Sequence, residues 1–232
     1  MTSRIAIVGG HGKTGRAVAA ALARRDVVPV PLGRAEWPVL ADHLAVCAAA
    51  YVIAPNLHPD EPSYVAEALA AVEQADVGRV AYHSVASPYV PAMPHHLGKA
   101  VSEDLVRRSR PTWTILQPGA YLQNLDLTAD LEIPYDVDAV FGFADLAEVG
   151  EAAAVVLTED GHAGATYELA TRVATPAQLA AEAGYVARRV EPGDVHPWLR
   201  AMFAYYDEHG LPVGTGPLGL LLGRVGRVGG PA

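Results

Sequence analysis

The sequence predicts an α/β protein with a doubly wound parallel sheet, in which short apolar strands alternate with helices. An apolar run at residues 5–8 breaks into a glycine-rich turn at residues 9–15, and an Ala-rich helical pattern follows to Arg24. Similar apolar runs and helical patterns then alternate as far as residue 118. Two prolines inside the second apolar run indicate where the sheet ends.

Each further element follows from the spacing of apolar residues and from helix-start signals. Strands are predicted at residues 27–32, 51–54, 80–83, 113–116 and 166–169. Helices are predicted at residues 38–49, 95–108, 145–157 and 196–208, with another beginning at Asp60. The second half is less regular than the first.

Composition narrows the possible classes of function. The 232 residues carry a formal net charge of -9, which argues against nucleic acid as a partner because phosphate binding needs a basic surface. The single cysteine, Cys47, excludes an internal disulfide and fits a reducing cytoplasm. Because no apolar run has the length of a membrane span or the pattern of a secretory signal, we expect a cytoplasmic protein without a membrane partner.

The turn at residues 9–15 has the context of a dinucleotide-binding turn, since it follows a strand and opens a helix. Gly9 would make the tight exit, Gly12 would admit a pyrophosphate, and Gly15 would let the helix lie close to the strand. The alternative is a helix-start turn that binds nothing. The residues predicted to contact the cofactor here are Gly9, His11, Gly12, Lys13, Thr14 and Gly15.

The second strand is predicted to be the edge of the sheet. Pro29 and Pro31 lack N–H donors on the same side of the strand, and only about one helix fits between Arg34 and Tyr51. The third strand of the usual nucleotide fold is therefore expected to be missing, with the adenine end of the cofactor exposed near Arg34 and Trp37. Trp37 would either stack on the adenine or cap the sheet edge.

Cofactor choice is predicted from the end of the second strand. An acid there serves the ribose 2′-OH of NAD, whereas a basic residue serves the 2′-phosphate of NADP. The strand ends in Leu32-Gly33-Arg34 with no acid before Glu36, so Arg34 suggests NADPH, the alternative being a solvated surface arginine. Further cofactor contacts are expected where later strands end, at Ala54, Pro55, Ser84, Val85, Pro118 and Gly119.

The Gly-x-x-Gly-x-x-Gly spacing and the string Gly12-Lys-Thr-Gly-Arg16 resemble the NmrA-like branch of the atypical short-chain dehydrogenase/reductases. The segment from Trp113 to Asn124 is also similar to that branch, and the likeness extends over nearly the whole chain. The resemblance implies a Rossmann-like sheet that binds NAD(P) and a small C-terminal substrate region. We therefore expect one domain over residues 1–232, with a nucleotide-binding core over about 1–130 and a substrate region over about 131–232.

The resemblance also suggests catalytic residues. Short-chain dehydrogenases carry Tyr-x-x-x-Lys at the helix after the fourth predicted strand, and this chain has Lys99 but His95 at the tyrosine position. Lys99 would hold the nicotinamide ribose. His95, Tyr121 or water would supply a proton, although His95 is also consistent with a helix-start or substrate-contact residue, and Tyr121 with a packed loop residue.

The predicted function is an NADPH-dependent reduction of a small carbonyl, quinone or conjugated ring compound, with a specialised metabolic pathway as the suggested setting. Two alternatives remain at this point: an NADP(H)-sensing regulatory protein without turnover, and a non-redox isomerase or lyase on the same fold. The expected partner is a small-molecule substrate, no metal site is predicted, and oligomeric state is not predicted.

Overall fold

The computed structural model describes residues 2–224. Met1 and residues 225–232 lie outside the described residues. Residues 225–232 are the end of the predicted substrate region. The strands are β1 (Ser3–Val8), β2 (Val27–Leu32), β3 (Ala49–Val52), β4 (Arg79–His83), β5 (Thr112–Pro118), β6 (Ala120–Tyr121), β7 (Leu131–Ile133), β8 (Phe141–Ala144), β9 (Ala165–Leu169), β10 (Arg172–Ala174) and β11 (Ala187–Arg189). The α-helices are α1 (Lys13–Ala23), α2 (Leu40–Leu44), α3 (Glu61–Gln74), α4 (Pro94–Arg108), α5 (Leu146–Thr158), α6 (Pro176–Glu182), α7 (Pro197–His209) and α8 (Gly216–Leu221).

The main sheet has six strands in the order β2-β1-β3-β4-β5-β9. All of its pairings are parallel. Helices α1 and α5 cover one face, and α2, α3 and α4 cover the other. The predicted doubly wound α/β fold is therefore confirmed.

Strand β2 is the edge of this sheet, as predicted, and within residues 2–224 no strand pairs with its far side. Leu32 O accepts hydrogen bonds from Gly9 N and Gly10 N, so Leu32 faces the β1 side. Because alternate residues of a strand direct their backbone groups to opposite sides, Pro29 and Pro31 face the open side. The missing donors thus interrupt no ladder, and they also make this edge a poor template for pairing with another chain.

The segment after β2 differs in detail from the prediction. Instead of one helix over residues 38–49, a short 3-10 helix at Trp37–Val39 leads into the five-residue helix α2. Strand β3 begins at Ala49, two residues before the predicted start at Tyr51. Trp37 stacks on Tyr64 with ring centroids 4.3 Å apart, and its Nε1 donates to Glu67. These contacts favour the packed role of Trp37 over adenine stacking.

The second half of the chain contributes both to the main sheet and to a separate apolar core. Helix α5 packs on α1, and β9 extends the main sheet beyond β5. A third apolar cluster, which includes Phe141, Phe143 and Tyr206, joins β7, β8, α6 and α7 outside the main sheet. The predicted division near residue 130 stays a prediction, since residues on both sides of it build the sheet. Among residues 2–224, no helix is both long and apolar enough to cross a membrane.

Candidate functional site

The carboxyl ends of the parallel strands form one edge of the main sheet, and this edge carries the predicted site. Open α/β sheets bind ligands at such an edge. The loops after β1, β2, β3, β4 and β5 all begin here. They contain the predicted cofactor contacts, namely residues 9–15, Arg34, Ala54 and Pro55, Ser84 and Val85, and Pro118 and Gly119.

The glycines of the first turn have the geometry expected of a dinucleotide-binding turn. Gly9 has a φ of 82°, and a Cβ there would lie 2.5 Å from Ile53 O. A Cβ at Gly15 would lie 2.6 Å from Gly10 Cα. At Gly12, by contrast, a Cβ would meet only Gly9 O, at 3.5 Å. Gly9 and Gly15 are therefore required by the fold itself, whereas Gly12 leaves open space above the turn.

Helix α1 begins beside that space without a side-chain cap. Gly12 is its N-cap, and the first turn contains no acidic residue. The first N–H groups of a helix have no intrahelical acceptor and carry the positive end of the helix dipole. Open space at Gly12 and uncapped amides together fit the pyrophosphate of a dinucleotide. His11, Gly12 and Lys13 are exposed at this turn, and Thr14 is half-buried.

The end of β2 carries an acid that the sequence pattern did not place there. Glu36 folds back so that its Oε2 accepts a hydrogen bond from Gly33 N at 2.7 Å. This backbone hydrogen bond lowers the pKa of Glu36, so the carboxylate is ionised at neutral pH. Arg34 is exposed and has no hydrogen-bond or ion-pair partner among residues 2–224. A carboxylate and a free guanidinium therefore lie at the same end of β2.

Lys99 is held in a buried ion pair on the α3/α4 face of the sheet. Its Nζ donates to Glu61 Oε1 at 2.7 Å and to His83 O at 3.2 Å, and Tyr82 Oη donates to the same Glu61 oxygen at 2.6 Å. Glu61 is 2% exposed and Lys99 is 6% exposed. Glu61 Oε2 is buried without a partner among the described residues. Lys99 thus has two of its three donors occupied, and its charge is balanced locally.

His95 lies one helical turn before Lys99 but is covered by helix α7. Its ring stacks at 6.4 Å on that of Trp198, and only 7% of the residue is exposed. Burial, and secondarily the charge of Lys99, lower the pKa of His95 to about 4. The imidazole is therefore neutral at physiological pH, which makes it a poor carrier of an acidic proton.

Tyr121 lies at the same sheet edge, on the α1/α5 face. It follows Pro118 and Gly119, and its Oη is 3.1 Å from Nε2 of His83. His83 Nδ1 is in turn 2.8 Å from the hydroxyl of Tyr51. Removal of the Tyr121 hydroxyl from solvent raises its pKa, and the nearby hydroxyl of Thr14 in the glycine turn acts against that rise. Tyr121 thus lies between the predicted cofactor turn and a buried histidine.

Ser84 takes part in a structural network. Its hydroxyl donates to Glu103 Oε1, as does Gln117 Nε2 at 2.7 Å, while Arg107 pairs with Glu103 Oε2 at 2.9 Å. Glu103 is fully buried. The network joins the ends of β4 and β5 to α4 and occupies the Ser84 side chain, so a cofactor contact at residues 84–85 would fall to the backbone or to Val85.

The comparisons with known proteins identify the fold. No protein-family model matches the chain, and no curated protein sequence matches it. An NADPH-dependent quinone oxidoreductase of Escherichia coli, solved with NADPH, is 22% identical over 94% of this chain and 94% of its own, with a TM-score of 0.76. A triphenylmethane reductase of Citrobacter sp., complexed with NADP(H), is 19% identical over 95% of each chain, with a TM-score of 0.78. NmrA, a negative transcriptional regulator solved with NAD, is 17% identical over 96% of this chain and 92% of its own, with a TM-score of 0.76.

The chain has the fold of NmrA and these reductases. The predicted NmrA-like, Rossmann-like architecture is therefore confirmed as a likeness of fold. Proteins with this fold include both reductases and a transcriptional regulator, so the fold by itself does not select the reaction.

Sequence reasoning missed the partners of the predicted residues. Neither Glu61 nor His83 is predicted from the sequence as a site residue. The sequence did contain a signal for both residues. His83 is a polar residue at the end of a buried strand, and Glu61 begins the helix that follows a loop at the sheet edge. Tyr51 offered no such signal, since it lies within an apolar run.

Proposed function

We propose that this protein is an NADPH-dependent reductase of a small carbonyl, quinone or conjugated ring compound. The observation that carries the proposal is the open space at Gly12 beneath the uncapped start of α1. The similar folds of a quinone oxidoreductase and a triphenylmethane reductase, each solved with NADPH or NADP(H), support the same function. NADPH, when bound, supplies a hydride to the substrate.

The chain's own residues would bind and orient the reactants. The amides at the start of α1 would hold the pyrophosphate, and Arg34 would hold the 2′-phosphate. Lys99 would use its third N–H for the nicotinamide ribose, held in place by Glu61 and by the carbonyl of His83. Between the predicted proton donors, the geometry favours Tyr121 over His95, because His95 is neutral and covered by Trp198.

A second candidate is an NADP(H)-sensing protein without turnover. The substitution of His95 for the expected tyrosine and the fixed ion pair of Lys99 favour it, and NmrA shows that a regulator has this fold. Both candidates require NADPH binding, and turnover distinguishes them.

The Gly12→Val variant tests the proposal, because the side chain would fill the pyrophosphate space without a clash in the free protein. Gly78→Val is the matched control, since a Cβ there meets nothing within 4 Å and Gly78 lies at the opposite edge of the sheet, before β4. We expect Gly12→Val to weaken NADPH binding at least about tenfold in a calorimetric titration, because the hydrogen bonds to the phosphates are lost. The same variant should no longer oxidise NADPH when a naphthoquinone is the substrate. The Gly78→Val control should retain both. Equal NADPH affinity of the two variants would contradict the site, and binding without oxidation of NADPH by any quinone or ketone would favour the sensor.

The opposed charges at the end of β2 give a test of cofactor choice. Arg34→Ala should lower the ratio of NADPH to NADH affinity by roughly 10- to 150-fold, because one charge-assisted phosphate contact is worth about 1.5–3 kcal/mol. Glu36→Gln should raise the same ratio, because it removes the carboxylate that would favour the 2′-OH and repel the 2′-phosphate. Titrations of both variants with NADPH and NADH check this. An unchanged ratio in Arg34→Ala would show that Arg34 is not the phosphate ligand.

A further inference from the structure

The side chains of Tyr51 in β3, His83 at the end of β4 and Tyr121 in β6 form a hydrogen-bonded chain. His83 is the central member, with its Nδ1 at 2.8 Å from Tyr51 Oη and its Nε2 at 3.1 Å from Tyr121 Oη. Tyr51 is fully buried, His83 is 7% exposed, and Tyr121 is half-buried. The chain therefore runs from the interior of the protein toward the predicted cofactor turn.

The protonation of His83 follows from its surroundings. Burial, with the positive charge of Lys99 as a second cause, lowers the pKa of His83 to about 3. A neutral imidazole has one N–H donor and one acceptor nitrogen. His83 must therefore accept from one tyrosine and donate to the other.

The direction of these bonds follows from Tyr51. Among the described residues, the Tyr51 hydroxyl has His83 Nδ1 as its only hydrogen-bond partner. A buried hydroxyl that does not donate leaves its proton unsatisfied, at a cost of about 1–3 kcal/mol. Tyr51 therefore donates to Nδ1, His83 is the Nε2–H tautomer, and Nε2–H donates to Tyr121 Oη. The proton of Tyr121 is left free for another acceptor.

We infer that Tyr51 and His83 are positioning residues that hold Tyr121 as the proton donor of the site. This inference rests on the proposed reductase function. The O–H bond of Tyr121 breaks, an O–H bond forms on the carbonyl oxygen of the substrate, and water returns a proton to the phenolate. The hydride, which carries both electrons, would come from the nicotinamide of bound NADPH and leave NADP⁺.

The surroundings of Tyr121 suit this role. The N–H of His83 donates to the Tyr121 oxygen, and this hydrogen bond stabilises the phenolate that remains after proton transfer, against the burial that raises the pKa of Tyr121. His83 also accepts a hydrogen bond from Lys99 through its backbone carbonyl, at 3.2 Å. His83 thus contacts both Tyr121, the proposed proton donor on one face of the sheet, and Lys99, the predicted ribose ligand on the other.

Histidine ¹⁵N NMR of the full chain tests the tautomer without any substrate. We expect the His83 resonances, assigned by their loss in His83→Gln, to show an unprotonated Nδ1 and a protonated Nε2 that do not titrate between about pH 5.5 and 8. Tyr51→Phe should shift the Nδ1 resonance and mix the two tautomers. Tyr167→Phe is the matched control, because it removes another Tyr–His hydrogen bond, to His162 at 2.9 Å, and should leave His83 unchanged. An Nδ1–H tautomer in the wild type would overturn the inference.

Steady-state kinetics with NADPH and a naphthoquinone separate positioning from binding. Tyr121→Phe should lower kcat by about 100-fold, the usual contribution of a general acid, with the KM for NADPH within about twofold. Tyr51→Phe should lower kcat by roughly tenfold with the same unchanged KM, and Tyr167→Phe should change neither value. Normal kcat in Tyr121→Phe, with an active wild type, would overturn this inference alone. A wild type that binds NADPH but never oxidises it would overturn the reductase proposal together with the proton-donor role.

Discussion

Replacing Lys99 by alanine is expected to destabilise the protein by about 3–5 kcal/mol, the usual cost of breaking a buried ion pair. Glu61 would stay behind as an unpaired carboxylate in a site where it is 2% exposed. Among the described residues, the Tyr82 hydroxyl would remain the only donor to Glu61, because Lys99 supplies the other hydrogen bond. Loss of turnover in Lys99→Ala would therefore not by itself identify a ribose ligand. The urea midpoint of unfolding measures the expected loss of stability.

The double variant Lys99→Met with Glu61→Gln separates stability from function. It keeps the volume of both side chains and leaves no buried charge, so most of the lost stability should return. If Lys99 holds the nicotinamide ribose, the double variant should remain folded and lose turnover more than His95→Phe does. A Lys99→Ala variant as stable as the wild type would contradict the ion-pair analysis. A folded double variant with full activity would contradict the ribose role.

Folding stability is expected to fall steeply as the pH drops below about 6.5, because three buried histidines are neutral in the folded protein. Burial lowers the pKa of His83 to about 3 and those of His95 and His96 to about 4. In the unfolded chain each has a pKa near 6.5. At acid pH the unfolded state therefore binds protons at these histidines, whereas the folded state does not. The stability of the folded state is thus undiminished by these histidines above about pH 6.5 and is lost as the pH falls toward 4.

The size of this effect is large. Each histidine contributes about 1.4 kcal/mol per pH unit in that window, so three contribute roughly 4 kcal/mol per unit. A total stability of about 5–15 kcal/mol would be exhausted within a few pH units. Urea unfolding measured at several pH values gives the number of protons from its slope. His95→Phe should reduce that number by one, since this ring stacks on Trp198 and has no side-chain hydrogen bond among the described residues. Stability that stays constant from about pH 7 to 5 would contradict the prediction.

The sequence by itself determined the features that depend on neighbouring residues. The glycine turn is predictable because Gly9, Gly12 and Gly15 lie within one strand-turn-helix unit. The positive φ of Gly9 and the close approach of Gly15 to Gly10 are backbone requirements, and Gly12 leaves open space at the helix start. The edge strand is predictable because Pro29 and Pro31 cannot donate to a ladder in any fold. The apolar alternation of strands and helices then fixes the parallel sheet and its ligand-binding edge.

Only the tertiary structure decided which polar side chains meet at that edge. Lys99 reaches Glu61 across 38 positions of the chain, and His83 reaches Tyr51 across 32 and Tyr121 across 38. These pairings depend on strand register and helix packing, because alternation along β4 places Tyr82 on one face of the sheet and His83 on the other. The protonation state of the histidines was likewise not predictable from the sequence, since it follows from burial by elements distant in sequence, such as α7 over His95. Local pattern specifies the fold, whereas the charges and hydrogen bonds of the site arise only when distant segments pack together.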